Sequence, residues 1–416
     1  MPPAAIAIVR ISGPDAMAAA GRLAGKLPEA RAARVRALRD PADGALLDQA
    51  LVLVFPGPAT ATGEDLVELH LHGGRAVVAA VESALAALPG LRRAEPGEFT
   101  RRALTNGRID LAEAEGLGDL LMAETELQRR AAMAMADGTL SKRIAGWRAD
   151  LLGLAARLEA SLDFADEADV DPVLLGVIRA DAARVRDDIA TALAAPPVDR
   201  LRDGIRVVLA GPPNSGKSTL LNVLARREAA IVSAIAGTTR DRIEAPVSRA
   251  GVPYVLTDTA GLRDETADPV EAIGMARAGQ AMAEADIILW LGDETPPLPA
   301  TLWLHARADL PERATLPPGR ALAVSATDDA SVEALWTLIG ETAASMIPAP
   351  GDLALNRRQR NHCVEAAEAL ADMDADDELI VADALRRANI ALARITGDIG
   401  VEAMLDALFV RFCIGK

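Results

Sequence analysis

Residues Gly211 to Ser218 read GPPNSGKS, a G-x-x-x-x-G-K-S phosphate loop. It stands directly behind the apolar run Ile205 to Ala210 and directly ahead of the helical-looking TLLNVLARR. Strand, glycine-rich loop and helix in that order commit this part of the chain to an α/β nucleotide-binding fold. The glycines let backbone N–H groups turn inward on a polyphosphate, Lys217 brings a point charge to the β/γ phosphates, and Ser218 offers a hydroxyl to Mg2+. Asn214, Ser215, Gly216 and Thr219 belong to the same phosphate-binding stretch. Lysine usage sharpens the motif. Of 44 lysines and arginines only Lys26, Lys142, Lys217 and Lys416 are lysine. Arginine's planar fork does not replace a compact ammonium beside a phosphate loop, so a nucleoside triphosphate is the expected ligand.

With 416 residues, half of them apolar, the chain has material for roughly two to four domains. No apolar run reaches the roughly 20 uncharged residues of a membrane span, and the start, MPPAAIAIVRISGPD, lacks the form of a signal peptide. A cytoplasmic protein is the expectation. Cys363 and Cys413 cannot build a disulfide framework, and there is no C-x-x-C pair for zinc. A net charge of −16 and an aromatic content of 2% argue against a broad basic face or a set of base-stacking platforms. Any contact with nucleic acid is expected to be local or shared with another protein.

The first hundred or so residues mix short β-like runs, Ala4–Ile11, Ala50–Phe55 and Leu66–Leu71, with helical stretches, and read as a small α+β unit. From about Ile109 to Ala195 apolar positions recur at helical spacing. After a break at Pro196 and Pro197, residues Arg202 to Met346 alternate helices with the strand runs Arg206–Ala210, Tyr254–Thr257, Ile287–Leu291 and Ala321–Val324, the pattern of a parallel α/β sheet. Asn356 to Lys416 is helical again. The economical reading is a multidomain α/β and α protein, with an α/β domain inserted into one helical domain.

Downstream of the phosphate loop, Gly237-Thr238-Thr239-Arg240-Asp241 precedes a strand that ends at Asp258-Thr259-Ala260-Gly261. A carboxylate at a strand end can hold Mg2+ through water, the N–H of Gly261 can bond the γ-phosphate, and a threonine can complete the Mg2+ shell. These are the loops of a switch-type GTPase, with two departures. Leu262 stands where a glutamine would orient the attacking water, which leaves Asp264, Glu265, Asp268 and Glu271 as candidates alongside a merely solvated acidic loop. The base-recognition motif N-K-x-D is replaced by Ala306-Arg307-Ala308-Asp309. Asp309 can still accept from the guanine N1 and N2 edge, Arg307 can keep the stem packing of the lysine, and Ala306 can make none of the asparagine's hydrogen bonds. Guanine preference with weakened affinity is expected. Ser325-Ala326 fits the short loop whose backbone N–H groups meet the guanine O6.

Taken together the motifs resemble one family, the tRNA-modification GTPases MnmE, also called TrmE. The resemblance rests on GPPNSGKSTLLN, GTTRD, DTAGLRDETADPVEAIG, IAIVRISGP, GEDLVELHLHGG, PGEFTRRALTNGRIDLAEAE, LEASLDFADE and the terminal Cys413-Ile414-Gly415-Lys416. It implies an N-terminal folate-binding and dimerising domain over residues 1–106. A helical domain in two parts, 107–198 and 347–416, and an inserted Ras-like GTPase domain over 199–346 complete it. It implies work with the flavoprotein MnmG, an FAD protein, to install an aminomethyl or carboxymethylaminomethyl group at C5 of the wobble uridine, U34, of certain tRNAs. The one-carbon unit would come from 5-formyl- or methylene-tetrahydrofolate. Family members carry a further strand and Gly-rich turn ahead of the segment matching IAIVRISG, so either the start is shortened or that strand is dispensable.

Carried over by motif, the folate contacts fall on Arg10, Glu68, Arg108 and Lys416, and Cys413 comes beside the folate's reactive carbon. The family also implies GTP hydrolysis after pairing of two GTPase domains, with K+ in place of an arginine finger. Asn214, Ser233, Ile235 and Thr238 would hold the K+, Thr239 and Ser218 with Asp258 the Mg2+, and Glu271 would position the water. His70 and His72 alternate with Glu68 along a strand, and a structural role is preferred to a metal site. A ribosome-assembly GTPase of the Era or Der kind would need a KH-type module or a second phosphate loop, and neither is evident. A non-hydrolysing nucleotide-dependent scaffold is the other rival.

Overall fold

A computed structural model of the chain describes residues 4–163, 172–227, 229–230, 244–259, 279–299, 301–349, 351–374 and 377–399. The chain divides into two compact units, one of residues 1–118, 136–144 and 393–416, the other of residues 119–135 and 145–392.

The first unit is built on a four-stranded antiparallel sheet of β1 (Ile6–Ser12), β2 (Arg34–Arg39), β3 (Leu46–Phe55) and β4 (Leu66–His72), in the order β1-β4-β3-β2. Helices α1 (Ala16–Ala24) and α2 (Arg75–Ala86) cover one face. There Ala20, Leu38, Val52, Val67, Leu69 and Val81 are fully buried. The period of two along each strand leaves Ile8, Arg10, Glu68 and His70 on the other face, with Ile8 largely exposed. α3 (Glu98–Thr105) follows, and α4 (Leu111–Met122) opens the helical stretch.

In the second unit α6 (Thr139–Asp163), which begins in the first, runs beside α7 (Pro172–Ala194), after the shorter α5 (Glu126–Ala136). Trp147 Nε1 donates to Asp188 Oδ2 at 3.4 Å across the pair. α8 (Asp199–Asp203) leads into a seven-stranded sheet. Its strands are β5 (Ile205–Ala210), β6 (Ala229–Ala230), β7 (Glu244–Arg249), β8 (Val252–Asp258), β9 (Ile287–Trp290), β10 (Leu302–Ala306) and β11 (Leu322–Val324). The order is β11-β10-β9-β5-β8-β7-β6. Helix α9 (Lys217–Arg227) and the helix Asp329–Ala344 pack on it, around a core that includes Val207, Leu209, Leu224, Leu256, Leu289 and Leu335.

The expectation of a parallel sheet needs correction. β5, β8, β9, β10 and β11 are parallel, but β7 runs antiparallel to β8 and β6 antiparallel to β7. The cause is local: β7 and β8 are joined by Ala250-Gly251, both at positive φ (51° and 81°). A two-residue turn of that hand closes a hairpin, whereas a parallel neighbour needs a crossover.

The chain enters and leaves this α/β segment at adjoining points. Val198 N–H donates to Leu355 O at 3.1 Å, and Arg360 donates to Leu193 O and Ala195 O, both at 2.8 Å. Asn356 and Gln359 form a capping box that starts the next helix, Arg357–Ala371.

Candidate functional site

Four strand ends meet on one edge of the seven-stranded sheet, the carboxyl edge where open α/β sheets bind ligands. β5 ends at Ala210 and turns through Gly211 to Gly216 into α9, which opens on Lys217. Gly211 (φ 147°) and Gly216 (φ 97°) take backbone angles that other residues rarely adopt. A Cβ on Gly211 would also stand 3.1 Å from the Gly292 nitrogen, so both glycines of the motif are geometric necessities here.

Lys217 is buried, and its ammonium donates to the loop carbonyls of Gly211 at 3.0 Å and Pro212 at 2.8 Å. Ser218 Oγ donates directly to Asp258 Oδ2. The two proposed Mg2+ residues are thus brought side by side by the pairing of β5 with β8, where Leu209 is in register with Asp258. A hydroxyl and a carboxylate are hard oxygen donors, the set that Mg2+ takes. Ser215 Oγ is buried without a hydrogen-bond partner, which suits a loop whose missing acceptor is a phosphate oxygen. Thr259 ties the start of the next loop to β5, through Oγ1 and N–H to Leu209 O at 3.0 and 3.2 Å.

At the opposite end of this edge, Ala306 is buried at the end of β10 and Arg307 sits exposed at φ 59°. Its stem lies against the phosphate loop, since a Cβ on Gly216 would come within 3.7 Å of Arg307 Cγ. Asp309 Oδ1 accepts from Ser325 Oγ at 2.6 Å. The Ser325 hydroxyl, with Asp309's own backbone N–H, holds the Asp309 carboxyl below its ordinary range, so it is an acceptor at neutral pH. The expectation for Ser325-Ala326 changes in one respect. The Ser325 N–H already donates to Ser331 Oγ at 3.0 Å, so it is committed within its own loop.

In the first unit Arg10 and Glu68 are cross-strand partners on β1 and β4. The Arg10 guanidinium stands 4.9 Å over the Phe99 ring. Glu68 Oε2 lies 3.2 Å from His70 Nε2, and His72 Nδ1 lies 2.7 Å from Asp48 Oδ1. Both histidines are therefore engaged by carboxylates, and no group of three or more His, Cys, Asp or Glu residues fit for a metal occurs among the described residues. Arg108 Nε donates to Thr60 O at 3.1 Å, and Asn106 Nδ2 to Thr62 O at 2.7 Å. Gly63 closes this loop at φ 79°, where a Cβ would strike Asn106 Cβ at 2.8 Å. Ser233, Ile235, Thr238, Thr239, Gly261, Glu271, Cys413 and Lys416 lie outside the described residues, as do Leu262 and the acids Asp264, Glu265 and Asp268.

Sequence reasoning did not single out the network beside this loop. Ser12 Oγ donates to Glu64 Oε2 at 2.9 Å, Arg102 Nη1 reaches the same oxygen at 2.8 Å, and Glu98 takes both Arg102 and Arg92. Glu64, Arg92, Glu98 and Arg102 border a cavity of about 320 Å³ whose other walls include Glu95, Arg101 and Asn106. The signal lies in the run PGEFTRRALTN, where Glu98 and Arg102 stand one helical turn apart.

Two family profiles match the chain: one described as GTP-binding protein TrmE N-terminus over residues 1–108, and one described as MnmE helical domain over residues 111–413. The chain is 54% identical over 417 residues to the tRNA modification GTPase MnmE of Erythrobacter litoralis (strain HTCC2594), covering 100% of this chain and 97% of that one. It is 55% identical over 418 residues to the protein of the same name from Rhizorhabdus wittichii, covering 100% and 94%. Among solved structures it is similar to the G domain of the T. maritima FeoB iron transporter, at 21% identity and a TM-score of 0.25, over 33% of this chain and 98% of that one. On the two profiles and the full-length likeness to these relatives, the chain belongs to the MnmE (TrmE) family of tRNA modification GTPases.

Proposed function

We propose that the protein binds and hydrolyses GTP as a conformational switch inside a tRNA-modifying complex. The observation that carries the nucleotide part is the direct contact of Ser218 with Asp258 beside the buried Lys217. A hydroxyl from the start of α9 and a carboxylate from the end of β8 stand together, which supports a Mg2+-nucleotide site there. Mg2+ held there would neutralise the β/γ phosphates. Asp309 supplies the acceptor for the guanine N1 and N2 edge, and Ala326 N–H the donor to O6. Asn214, Ser233, Ile235 and Thr238 hold a K+ completed by pairing with a second GTPase domain, Thr239 joins Ser218 and Asp258 on Mg2+, and Glu271 orients the water. GTP turnover is expected to be faster in K+ than in Na+ at equal ionic strength; equal rates in the two salts would overturn the potassium part.

The finer reading follows the family. Residues 1–106 form a folate-binding, dimerising domain, 107–198 and 347–416 one helical domain, and 199–346 the inserted GTPase domain. The adjacency of Val198 and Leu355 supports that insertion. Arg10, Glu68, Arg108 and Lys416 bind a tetrahydrofolate, with Cys413 near its one-carbon unit. A pterin offers donors for Glu68, and its glutamate tail offers a carboxylate for the cations. Binding of 5-formyl-tetrahydrofolate to the purified homodimer, weakened by Lys416→Ala, is the expected result; no binding by either protein would sink the assignment.

An MnmG-type FAD protein is the partner in modifying C5 of U34. The net charge of −16 supports leaving most of the tRNA contact to that partner, because phosphate-backbone binding rests on clustered Lys and Arg. Tight, salt-resistant tRNA binding by this protein alone would contradict that. No described helix is long and apolar enough to cross a membrane, and the proposed site of action is the cytoplasm. Loss of modified U34 from the tRNA of cells lacking the protein is the decisive expectation.

A further inference from the structure

β9 and β10 stay in register only at Leu302 with Leu289 and Trp303 with Trp290. Beyond that point β10 runs with β11 alone, through Leu304, His305 and Ala306. The ladder between the strand that borders the phosphate loop and the strand that carries the base loop therefore stops at the end of β9, while β10 runs on to Ala306. Guanidinium groups fill the gap. Arg320 Nη1 donates to Gly292 O at 2.6 Å and to Leu304 O at 3.1 Å, bridging the separating strands, and Nη2 reaches Asp293 O at 2.7 Å. Its guanidinium lies 3.9 Å over the Trp303 ring, and it is almost wholly buried. Arg313 makes a two-pronged pair with the Asp293 carboxylate at 2.9 and 2.8 Å, while its Nε donates to Ala306 O at 2.7 Å. His305 Nε2 meets Arg313 O at 2.8 Å; a carbonyl partner requires the proton on Nε2, and Nδ1 then accepts from Arg313 Nη2 at 3.3 Å.

The anchor of this clamp touches the phosphate loop. A Cβ on Gly292 would stand 2.9 Å from Pro212 Cδ, so Gly292 and Asp293 lie between the loop that takes phosphate and the loop that carries Asp309. Ala306 occupies the place where the usual motif has a hydrogen-bonding asparagine. What is held instead is its backbone carbonyl, and Arg313 holds it.

We propose that Arg313, oriented by Asp293, is a positioning residue for nucleotide specificity: it fixes the Ala306–Asp309 loop against the phosphate loop, a tie that the alanine at 306 does not make. The inference rests on the reading of Asp309 as the guanine acceptor. A forked guanidinium on a carboxylate fixes direction as well as distance, and a lysine ammonium cannot reproduce both contacts. Asp293 is 65% exposed, so the pair adds little to stability, and its effect belongs to the alignment of the loop.

The test measures affinities of the full-length protein for GDP, ADP and XDP by calorimetry, with thermal denaturation beside them. Arg313→Lys is expected to weaken GDP about tenfold while ADP binding, which uses the phosphate loop, and the melting temperature stay unchanged. Asp293→Asn is expected to give about a threefold loss, or ~0.65 kcal/mol, in the same pattern. Unchanged GDP affinity in both variants, or parallel losses for GDP and ADP, would overturn the clamp. Asp309→Asn separates the underlying reading: an amide can donate to the C2 carbonyl of xanthine, so XDP should come to be preferred over GDP. A variant that still prefers GDP would refute the base assignment itself, whatever Arg313 does.

Discussion

At the phosphate end of the candidate site the polar contacts run within the loop and to one neighbouring strand. Lys217 bonds Gly211 and Pro212 within its own loop, and Ser218 bonds Asp258 on the neighbouring strand. At the base end the carbonyl of Ala306 is held by Arg313, whose counter-charge Asp293 lies 20 positions earlier on another strand's extension. Within the loop the arrangement is made of glycine dihedrals and a short run of chain, so it can be written as a pattern; the Ser218–Asp258 contact is made by the pairing of β5 with β8, and each of its residues stands in a short motif of its own. The base end is made by sheet topology, by where β9 and β10 part company, and it leaves no pattern. Their surroundings differ too: Lys217 is buried, while Asp293 faces water. On the proposed reading, one end has little freedom to change its residues without losing the ligand, and the other can exchange one tie for another.

The largest test of this contrast is Lys217→Ala. It removes the one ammonium of the loop and strands the Gly211 and Pro212 carbonyls, so GTP affinity should fall by about 100-fold or more, ~2.7 kcal/mol. Lys217→Arg should not restore it, because the planar fork does not fit where a compact charge is needed. Recovery of binding in the arginine variant, measured by calorimetry, would break the claim that the phosphate end is rigidly specified. Next in size is the base end itself. Asp309→Ala leaves the guanine N1 and N2 donors without an acceptor, and a preference for GDP over ADP should shrink by about 10- to 100-fold, in keeping with ~1–3 kcal/mol for an unmet polar group. Retained preference would mean that the base loop recognises guanine through some other group.

The same distinction accounts for what could be read in advance. β1, β3, β4, β5, β8, β9 and β11 announce themselves as apolar or alternating runs. β2 does not: RVRALR carries three arginines and only Leu38 fully buried, as an edge strand allows. The hairpin of β7 and β8 also escaped, because Ala250-Gly251 is not the Asn-Gly or Asp-Gly pair that usually marks such a turn. Around the candidate site, Lys217 and Ser218 open α9 behind the loop, Asp258 ends β8 and Asp309 follows β10, and each belongs to a short motif that the sequence displays. Arg313, Arg320 and Asp293 were three charges among many, and nothing in their spacing says that two strands diverge between them. The commitment of the Ser325 N–H to Ser331 was likewise invisible, since Ser331 belongs to the opening turn of the next helix.

A third cluster sharpens the comparison at the smallest scale, because it is mostly local yet serves stability. Burial pushes the Glu98 carboxyl up, but hydrogen bonds from Arg92, from the Glu95 N–H and from Arg102 outweigh it and hold the group at about 2, against an ordinary 4.5. A carboxylate whose pKa is lower in the folded than in the unfolded chain contributes stability that is fully present above about 4.5 and lost as pH falls toward about 2. Arg92 is 61% exposed, so solvent screening cuts the contribution to about 1 kcal/mol. Glu98→Gln should therefore lower the unfolding free energy of the protein by about that amount at neutral pH, with the difference from the unaltered protein closing as the solution is acidified through that window. Urea unfolding across the acid range measures it. A deficit that stays constant down to the lowest pH would show that Glu98 acts through its hydrogen-bond geometry alone, and the network would then resemble the guanidinium clamp of the base end more than the charged grip of the phosphate loop.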